Sequence, residues 1–318
     1  MSRRDQLLFN SLSPNSWKAY NTAWRSFTKV LSNLGFVSFL PLREQHLEIY
    51  VVAASDTLAY GTIKSYLSGI KFWHLLAGFS LDSLFQDRLR LLLRGVRRIQ
   101  GNSRLRPKRI PITLQDLHAI SSWVTIYLPF YDATLLQAAL RLAFFGLLRI
   151  SEFTCAAVGT FQVNTDLALQ DVQVDEVAGF LRIYIKVSKS DPFRQGFSLR
   201  IAKTDSDLCP FTALISYLSL RRPLGPGPLF ILSNGQFLTR DHVVLVLSRV
   251  FPHIPSALLG SHSFRIGGAS RLCALGVPDA TIQILGRWSS SAFKRYLHLS
   301  DSYVGYLHDR MSRDVNRP

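Results

Sequence analysis

Apolar residues recur every three or four positions through the first hundred residues of the chain. The first such run follows Ser13-Pro14, a pair typical of a helix N-cap with proline in the first turn, and it ends at Gly35. Three further runs of the same period lie at 44–54, 62–77 and 84–99. Turns that contain glycine or proline separate the runs. The pattern predicts a small all-α bundle over residues 1–100.

The helical period is lost over residues 101–112, which are basic and contain prolines, so we expect a linker there. Beyond it, residues 113–318 combine further helical runs with two segments that alternate at period two, at 181–187 and 197–202. The Asp-Pro and Gly between these segments predict an antiparallel hairpin. The expected fold is two-domain: the N-terminal bundle, and a mixed, mainly α domain with a small antiparallel β-sheet.

The composition of this 318-residue chain limits the classes of partner that it can be expected to bind. Hydrophobic residues make up 47% of the sequence, with 21 Phe and 5 Trp, which indicates folded domains with substantial cores. The net charge of +16 favours a polyanionic partner, nucleic acid before an acidic membrane. A membrane partner is disfavoured, because no predicted helix combines a cationic face with an exposed aromatic one.

Three cysteines, at positions 155, 209 and 273, show neither a disulfide framework nor zinc-ligand spacing. We interpret them as thiols in a reducing compartment. The apolar run Leu7-Leu-Phe9 is too short for a secretion signal, and no run reaches the roughly 20 residues of a membrane span. We therefore expect an intracellular protein.

Basic residues are concentrated in the fourth predicted helix, where they fall on or near one face, and in the linker. Arginine and lysine in such an arrangement bind DNA phosphates without regard to sequence. The alternative is a solvated cationic helix followed by a solubilising linker. With the total charge in view, we expect the DNA-binding residues to be Arg90, Arg94, Arg97, Arg98, Arg104, Arg106, Lys108 and Arg109.

Two arginines are candidates for binding an anion. Arg265 follows His262 by three residues, so the two side chains share a face if the segment is helical, and both can reach one oxyanion. An isolated pair of this kind is more often the capped start of a surface helix. Arg149 follows a dense apolar run, where it either pairs with Glu152 or is held rigidly towards a ligand. Lys189 lies at the tip of the predicted hairpin.

Four motifs in this order resemble those of the tyrosine recombinases, the phage-integrase family. They are Arg-Ile-Ser-Glu at 149–152, Ser-Lys-Ser-Asp at 188–191, His-x-x-Arg at 262–265, and Leu-Gly-Arg at 285–287 with a tyrosine nine residues later. The resemblance covers essentially the whole chain, and residues 1–100 resemble the family's SAM-like core-binding domain. Around positions 144–149 and 286–290 the sequence is most similar to the recombinases of DIRS-type retrotransposons of eukaryotes.

The resemblance implies a site-specific DNA recombinase that cleaves and rejoins double-stranded DNA through a 3′-phosphotyrosyl intermediate and moves a mobile element. Tyr296 then resembles the nucleophile, Arg149 and Arg265 the phosphate-binding arginines, and His262 the partner of the second arginine. Lys189 resembles the family's hairpin lysine, which protonates the leaving oxygen. Glu152 resembles the acidic residue that holds the first arginine in place. No carboxylate cluster suited to two divalent ions is evident, so we expect chemistry without metal or cofactor. The resemblance also implies a nuclear location and dimers or tetramers on DNA.

The sequence departs from the family's pattern at two places. The family commonly has glycine two residues before the first arginine, whereas Gly146 lies three before Arg149. The family's residue after Leu-Gly is usually His or Trp, but here Arg287 stands there and Trp288 follows. Spacing to Tyr296 favours Arg287 for this role, and residue type favours Trp288, which we prefer. Alternative functions are strand nicking like that of type IB topoisomerases, or DNA binding without catalysis.

Overall fold

The chain divides into two units, Met1–Arg106 and Pro107–Pro318. The structure is a computed structural model that describes residues 2–81, 84, 87–104, 107–189, 191–290, 294, 304–305 and 308. The boundary falls inside the stretch 101–112 that the sequence predicts as a linker. In the described part of the chain, no helix is both long enough and apolar enough to cross a membrane.

The first unit is all α-helical, as predicted. The predicted N-cap at Ser13 is present: its Oγ accepts a hydrogen bond from the Ser16 amide at 3.2 Å. The aromatic side chains of Phe27 and Tyr50 are fully buried at the centre of the bundle. The helices are α1 (Arg3–Phe9), α2 (Pro14–Asn33), α3 (Glu44–Ser55), α4 (Tyr60–Leu76) and α5 (Asp87–Gln100).

The second unit combines helices with one antiparallel sheet, which confirms the predicted fold class. The sheet has the order β1-β2-β3, and Ile183 of β2 is paired with Leu199 of β3 on the buried face. The strands are β1 (Val172–Asp175), β2 (Phe180–Ile185) and β3 (Phe197–Ala202). The helices are α6 (Leu114–Tyr127), α7 (Phe130–Phe145), α8 (Pro210–Arg221), α9 (Arg240–Val250), α10 (Ser263–Ala274) and α11 (Asp279–Leu285).

Helix α7 lies at the centre of the second unit. Nine of its 16 residues are buried, and they cover more than one face of the helix. Such a helix must be surrounded by other elements, and α6, α8 and α10 pack against it. The position of α7 determines where Arg149 lies, because this residue follows the end of the helix by only four positions.

The last residues of the predicted linker belong to the core of the second unit. The amide of Ile110 donates to the Leu258 carbonyl at 2.9 Å, and the amide of Ile112 donates to the Ser263 carbonyl at 3.0 Å. The Ile112 side chain is only 1% exposed. The apolar residues of Ile-Pro-Ile therefore anchor this backbone beside the start of α10, whereas the sequence pattern suggests an open strap.

Candidate active site

Helix α7 ends in a motif that turns the chain sharply towards Arg149. The amide of Leu148 reaches back to the Ala143 carbonyl at 3.0 Å, and the amide of Leu147 donates to the Phe144 carbonyl at 3.3 Å. This is the Schellman arrangement, which requires a left-handed residue after the cap. That residue is Leu147, with φ 48°.

Helix α11 ends in the same way, immediately before the segment that leads to Tyr296. The amide of Trp288 donates to the Gln283 carbonyl at 3.0 Å, and Arg287 is the left-handed residue, with φ 55°. A Cβ on the cap residue Gly286 would lie 1.5 Å from the Trp288 ring. Because Gly286 has no Cβ, the indole can fold back over the end of the helix.

Arg265 joins the ends of α7 and α11. Its guanidinium donates to the carbonyls of Leu147 and Gly286, and its plane lies over the Trp288 ring, with the guanidinium carbon 4.2 Å from the ring centroid. Carbonyls at helix C-termini carry partial negative charge, which stabilises a cation placed there. Arg265 is 4% exposed, so this arrangement holds a nearly buried cation in a fixed orientation.

Two glycines in α10 allow the close approach that places Arg265 there. A Cβ on Gly267 would lie 1.9 Å from the carbonyl oxygen of Ile112, and a Cβ on Gly268 would lie 2.3 Å from that of Phe144. Both contacts are with backbone atoms, which cannot give way as a flexible side chain can. Gly268 therefore sets the distance between α10 and the end of α7, and Gly267 sets the distance between α10 and Ile112.

Glu152 is the centre of a buried network of charges. Its Oε1 accepts from Arg149 Nη1 at 2.8 Å and from Ser188 Oγ at 2.8 Å, and its Oε2 accepts from Arg287 Nη2 at 2.8 Å. Burial raises the pKa of the Glu152 carboxyl, but the charge of Arg287 and hydrogen bonds from Arg149 and Ser188 outweigh burial and lower it. Glu152 is therefore ionised at neutral pH.

Ser188 is a member of this network that the sequence analysis did not single out. Its hydroxyl accepts from Arg149 Nη1 at 2.7 Å and donates to Glu152. The residue is buried just beyond the end of β2, although it belongs to the hairpin connection. Burial in that connection is not visible in the alternation of the strands. The only signal is that Ser188 opens the Ser-Lys-Ser-Asp motif.

Arg287 and Trp288, the two candidates for the family's position after Leu-Gly, have different partners in the structure. Arg287 turns inwards: its side chain is 7% exposed, and Arg287 Nη2 also donates to the Leu147 carbonyl at 3.0 Å. The ring of Phe197 lies beneath its guanidinium, at 5.1 Å. Trp288 lies against Arg265 instead. Arg287 is thus bound to Glu152, and Trp288 lies beside the second candidate phosphate ligand.

His262 is surrounded by positive charge. It is the residue before the first turn of α10, and part of its surface is exposed while neighbouring groups desolvate the rest. Partial burial, followed by the charges of Arg265, Arg149, Arg109 and Lys189, lowers the pKa of its imidazole. Lys189 is exposed in the turn between β2 and β3, as predicted for the hairpin tip. The charges that lower this pKa belong to segments far apart in sequence, and such a positive electrostatic environment suits a phosphate.

The predicted DNA-binding residues fall into two groups. Four are exposed on α5: Arg90, Arg94, Arg97 and Arg98. In the linker, Lys108 is exposed. Arg104 instead donates to carbonyls at the end of α3, including Ser55 at 2.8 Å, so its guanidinium caps a helix. Arg109 donates to the Ser256 carbonyl at 2.7 Å and lies near His262. Arg106 lies outside the described residues.

The predicted nucleophile, Tyr296, lies outside the described residues, as do Tyr303 and Tyr306. Lys294, two residues before Tyr296, pairs with Asp279 at the start of α11, with 2.6 Å between Nζ and Oδ2. Within the described ranges, no group of three or more His, Cys, Asp or Glu side chains is placed to hold a metal ion.

Comparison with solved structures identifies the fold. The Tn1549 transposon integrase in complex with transposon right end DNA is 14% identical, with a TM-score of 0.63 over 95% of each chain. The XerH site-specific recombinase bound to palindromic difH substrate is 14% identical, with a TM-score of 0.59 over 94% of this chain and 80% of XerH. A lambda integrase dimer bound to a COC′ core site is 14% identical, with a TM-score of 0.54 over 99% of this chain and 78% of that one.

The chain therefore has the fold of the tyrosine recombinases, with a helical N-terminal unit and a mainly helical second unit that carries a small sheet. Comparisons of the sequence with family models and with curated proteins find no match.

Proposed function

We propose that the protein is a site-specific DNA recombinase or integrase that cleaves and rejoins DNA through a 3′-phosphotyrosyl intermediate on Tyr296. The observation that carries the proposal is that one hydrogen-bonded network holds both candidate phosphate ligands: Arg149 donates to Glu152, Arg265 donates to the Leu147 carbonyl, and Arg287 donates to both acceptors. The charges of Arg149, Lys189 and Arg265 also lower the pKa of the His262 imidazole. Arg149, Lys189, His262 and Arg265 come from three separate segments of the chain, since His262 and Arg265 both lie at the start of α10, and they are among the residues that the family motifs select. Cations brought together from distant segments are expected of a site that binds a phosphate.

The chemistry follows from the groups present. The two guanidiniums, Arg149 and Arg265, bind the non-bridging oxygens of a phosphodiester and offset the charge that develops on them. The phenolic oxygen of Tyr296 attacks phosphorus in line, forming a phosphotyrosyl bond as the bond to the 5′ oxygen breaks. Lys189 gives its proton to that oxygen, and His262, neutral at pH 7, accepts the proton of the phenol or orients it. Religation reverses each step.

Double-stranded DNA is the proposed substrate, bound in part by the first unit. The exposed arginines of α5 form a cationic surface, and the chain carries a net charge of +16. Contacts of this kind neutralise phosphates and give affinity that falls with salt. We extend the proposal to a dimer or tetramer on DNA and to the movement of a DIRS-type mobile element in a nucleus, on the sequence resemblance alone.

The test is the capture of a covalent adduct. Wild-type protein is incubated with a library of nicked suicide duplexes with randomised sequence, from which religation is impossible, and adducts are separated on denaturing gels. We expect an adduct with wild type and none with Tyr296→Phe. An adduct that persists in the mutant reassigns the nucleophile to Tyr303 or Tyr306. No adduct with wild type on any duplex favours a DNA-binding protein without catalysis.

Strand nicking like that of a type IB topoisomerase is the second candidate, because it uses the same residues. Sequencing the captured duplexes separates the two activities. A recombinase selects a defined site and exchanges strands between two duplexes that carry it, whereas a nicking enzyme relaxes supercoiled plasmid without exchange. Strand exchange between two labelled duplexes supports recombination, and relaxation alone favours the topoisomerase-like activity.

A further inference from the structure

Glu152 creates an electrostatic problem for the candidate site. Its carboxylate lies 2.8 Å from Arg149 Nη1, so the two charges largely cancel each other. An arginine whose charge is neutralised by its own neighbour attracts a phosphate weakly. Screening by water is slight here, because the Glu152 side chain is fully buried and that of Arg149 is 13% exposed.

Arg287 supplies a second positive charge to the same carboxylate. Its Nη2 lies 2.8 Å from Oε2, which also accepts from the Arg149 amide, while the side chains of Arg149 and Ser188 donate to Oε1. The three charged groups together carry one net positive charge, where Arg149 and Glu152 alone would carry none. The Arg287 side chain is 7% exposed and is fixed by carbonyls at the end of α7, so it remains beside Glu152.

We propose that Arg287 is a positioning residue that offsets the charge of Glu152 and so leaves the charge of Arg149 available to the phosphate. The inference rests on the proposed function for its substrate. It differs from the role that the family's His or Trp implies at this place, since Arg287 acts through Glu152. Trp288 remains beside Arg265, where a contact with the substrate belongs.

A double variant distinguishes an indirect role of Arg287, through Glu152, from direct binding of the phosphate. Replacing Arg287 by methionine removes the offset, so the pocket loses one positive charge. Replacing Glu152 by glutamine in the same chain removes the charge that needed the offset. If Arg287 acts through Glu152, then Glu152→Gln/Arg287→Met recovers what Arg287→Met loses. If Arg287 binds the phosphate directly, the second substitution recovers nothing.

The first readout needs no DNA site. Inorganic phosphate that binds the folded protein raises its melting temperature, and the difference between wild type and Arg149→Met isolates the rise due to this pocket. We expect Arg287→Met to lose that difference and the double variant to regain it. Arg287→Lys, which keeps the charge, should keep most of it. An equal phosphate response in wild type and Arg149→Met, or in wild type and Arg287→Met, overturns the proposal.

The second readout is the rate of adduct formation on the suicide library. Arg287→Met should slow it by about tenfold to a hundredfold, by analogy with partners that hydrogen-bond to metal ligands, which likewise act through the group that they hold. DNA affinity should change little, and the double variant should recover most of the rate. A double variant as slow as Arg287→Met contradicts the proposal. In a further outcome, wild type forms no adduct while the melting-temperature responses to phosphate still fall in Arg287→Met and recover in the double variant. That result contradicts the recombinase function but supports the charge offset by Arg287.

Folding is checked by the pH dependence of the melts. In wild type the lowered pKa of Glu152 adds stability above the ordinary carboxyl pKa of 4.5, and this stability is lost at lower pH. In Arg287→Met burial is less opposed, so the pKa of Glu152 rises. The difference in melting temperature between the variant and wild type should then shrink as the pH is lowered from 7 to well below 4.5, because wild type loses the stability of the ionised carboxylate and the variant has less of it to lose. A difference that stays constant indicates that Arg287 has only a packing role.

Discussion

Replacing Gly267 by alanine should loosen the contact that positions the candidate site. The new Cβ would lie 1.9 Å from the Ile112 carbonyl oxygen, where an ordinary contact begins at 3.4 Å, so the two segments must separate by about 1.5 Å. Ile112 is 1% exposed, and its amide donates to the Ser263 carbonyl at 3.0 Å. The separation therefore disturbs a buried side chain and strains a backbone hydrogen bond.

The change in the free energy of unfolding combines two destabilising contributions and one stabilising contribution. Overpacking of this kind costs about 1–3 kcal/mol, and a weakened hydrogen bond costs about 1 kcal/mol more. Alanine in a helix gains about 1 kcal/mol over glycine. The net loss is about 2 kcal/mol, which lowers the melting temperature of a unit of this size by about 4–8 °C.

The assay is calorimetric unfolding of the full chain, with Gly159→Ala as the matched control. Gly159 lies in the same unit, and a Cβ there would meet nothing within 4 Å. The control should therefore melt within about 2 °C of wild type, as surface substitutions usually do. If Gly267→Ala melts together with Gly159→Ala, the close packing of α10 on residues 110–112 is refuted, and with it our account of how Arg265 is placed.

Three further predictions concern the chemistry. Tyr296→Phe should bind DNA with unchanged affinity in gel-shift assays yet form no adduct; a loss of binding would give the tyrosine a structural role. Arg149→Lys and Arg265→Lys should each slow adduct formation by at least about a hundredfold, because a lysine cannot replace the planar fork; near-normal rates would exclude the phosphate clamp. The lowered pKa of His262 means that the unfolded state binds a proton first as the pH falls below about 6.5. Wild type should therefore lose stability below that pH relative to His262→Gln, and parallel pH profiles of the melts would contradict this.

Helices could be predicted from the sequence wherever local signals agree. The Ser13-Pro14 cap and the apolar period gave α2 within a few residues of its observed bounds. Helix α1 was missed because its seven residues are too few to establish a period, and β1 was missed because four residues do not establish an alternation. Short elements depend on what packs against them, and a single sequence does not reveal that.

The candidate site could be predicted as a set of residues but not as a set of contacts. Arg104 has the same basic, linker-like surroundings as Lys108, yet it caps α3 from a position 49 residues beyond Ser55. The partner of Arg287 is likewise distant, since Glu152 lies 135 residues earlier in the chain. Contacts over such separations follow from tertiary packing. The sequence marked Glu152 as a partner of an arginine but gave no sign that it has two.

Both departures from the family's motif have an explanation in the backbone. The family's glycine stands two residues before the first arginine, and here that place is held by Leu147, with φ 48°. Glycine adopts this conformation readily, whereas another residue does so at a cost of about 1–2 kcal/mol. Arg287 has φ 55° after α11, and this turn directs its side chain inwards to Glu152 and leaves Trp288 over the second arginine. The same turn thus ends both helices with a residue other than glycine at its left-handed position. Strain of this kind is retained where it positions functional groups, and at these two turns it fixes the carbonyls and side chains that hold the buried arginines.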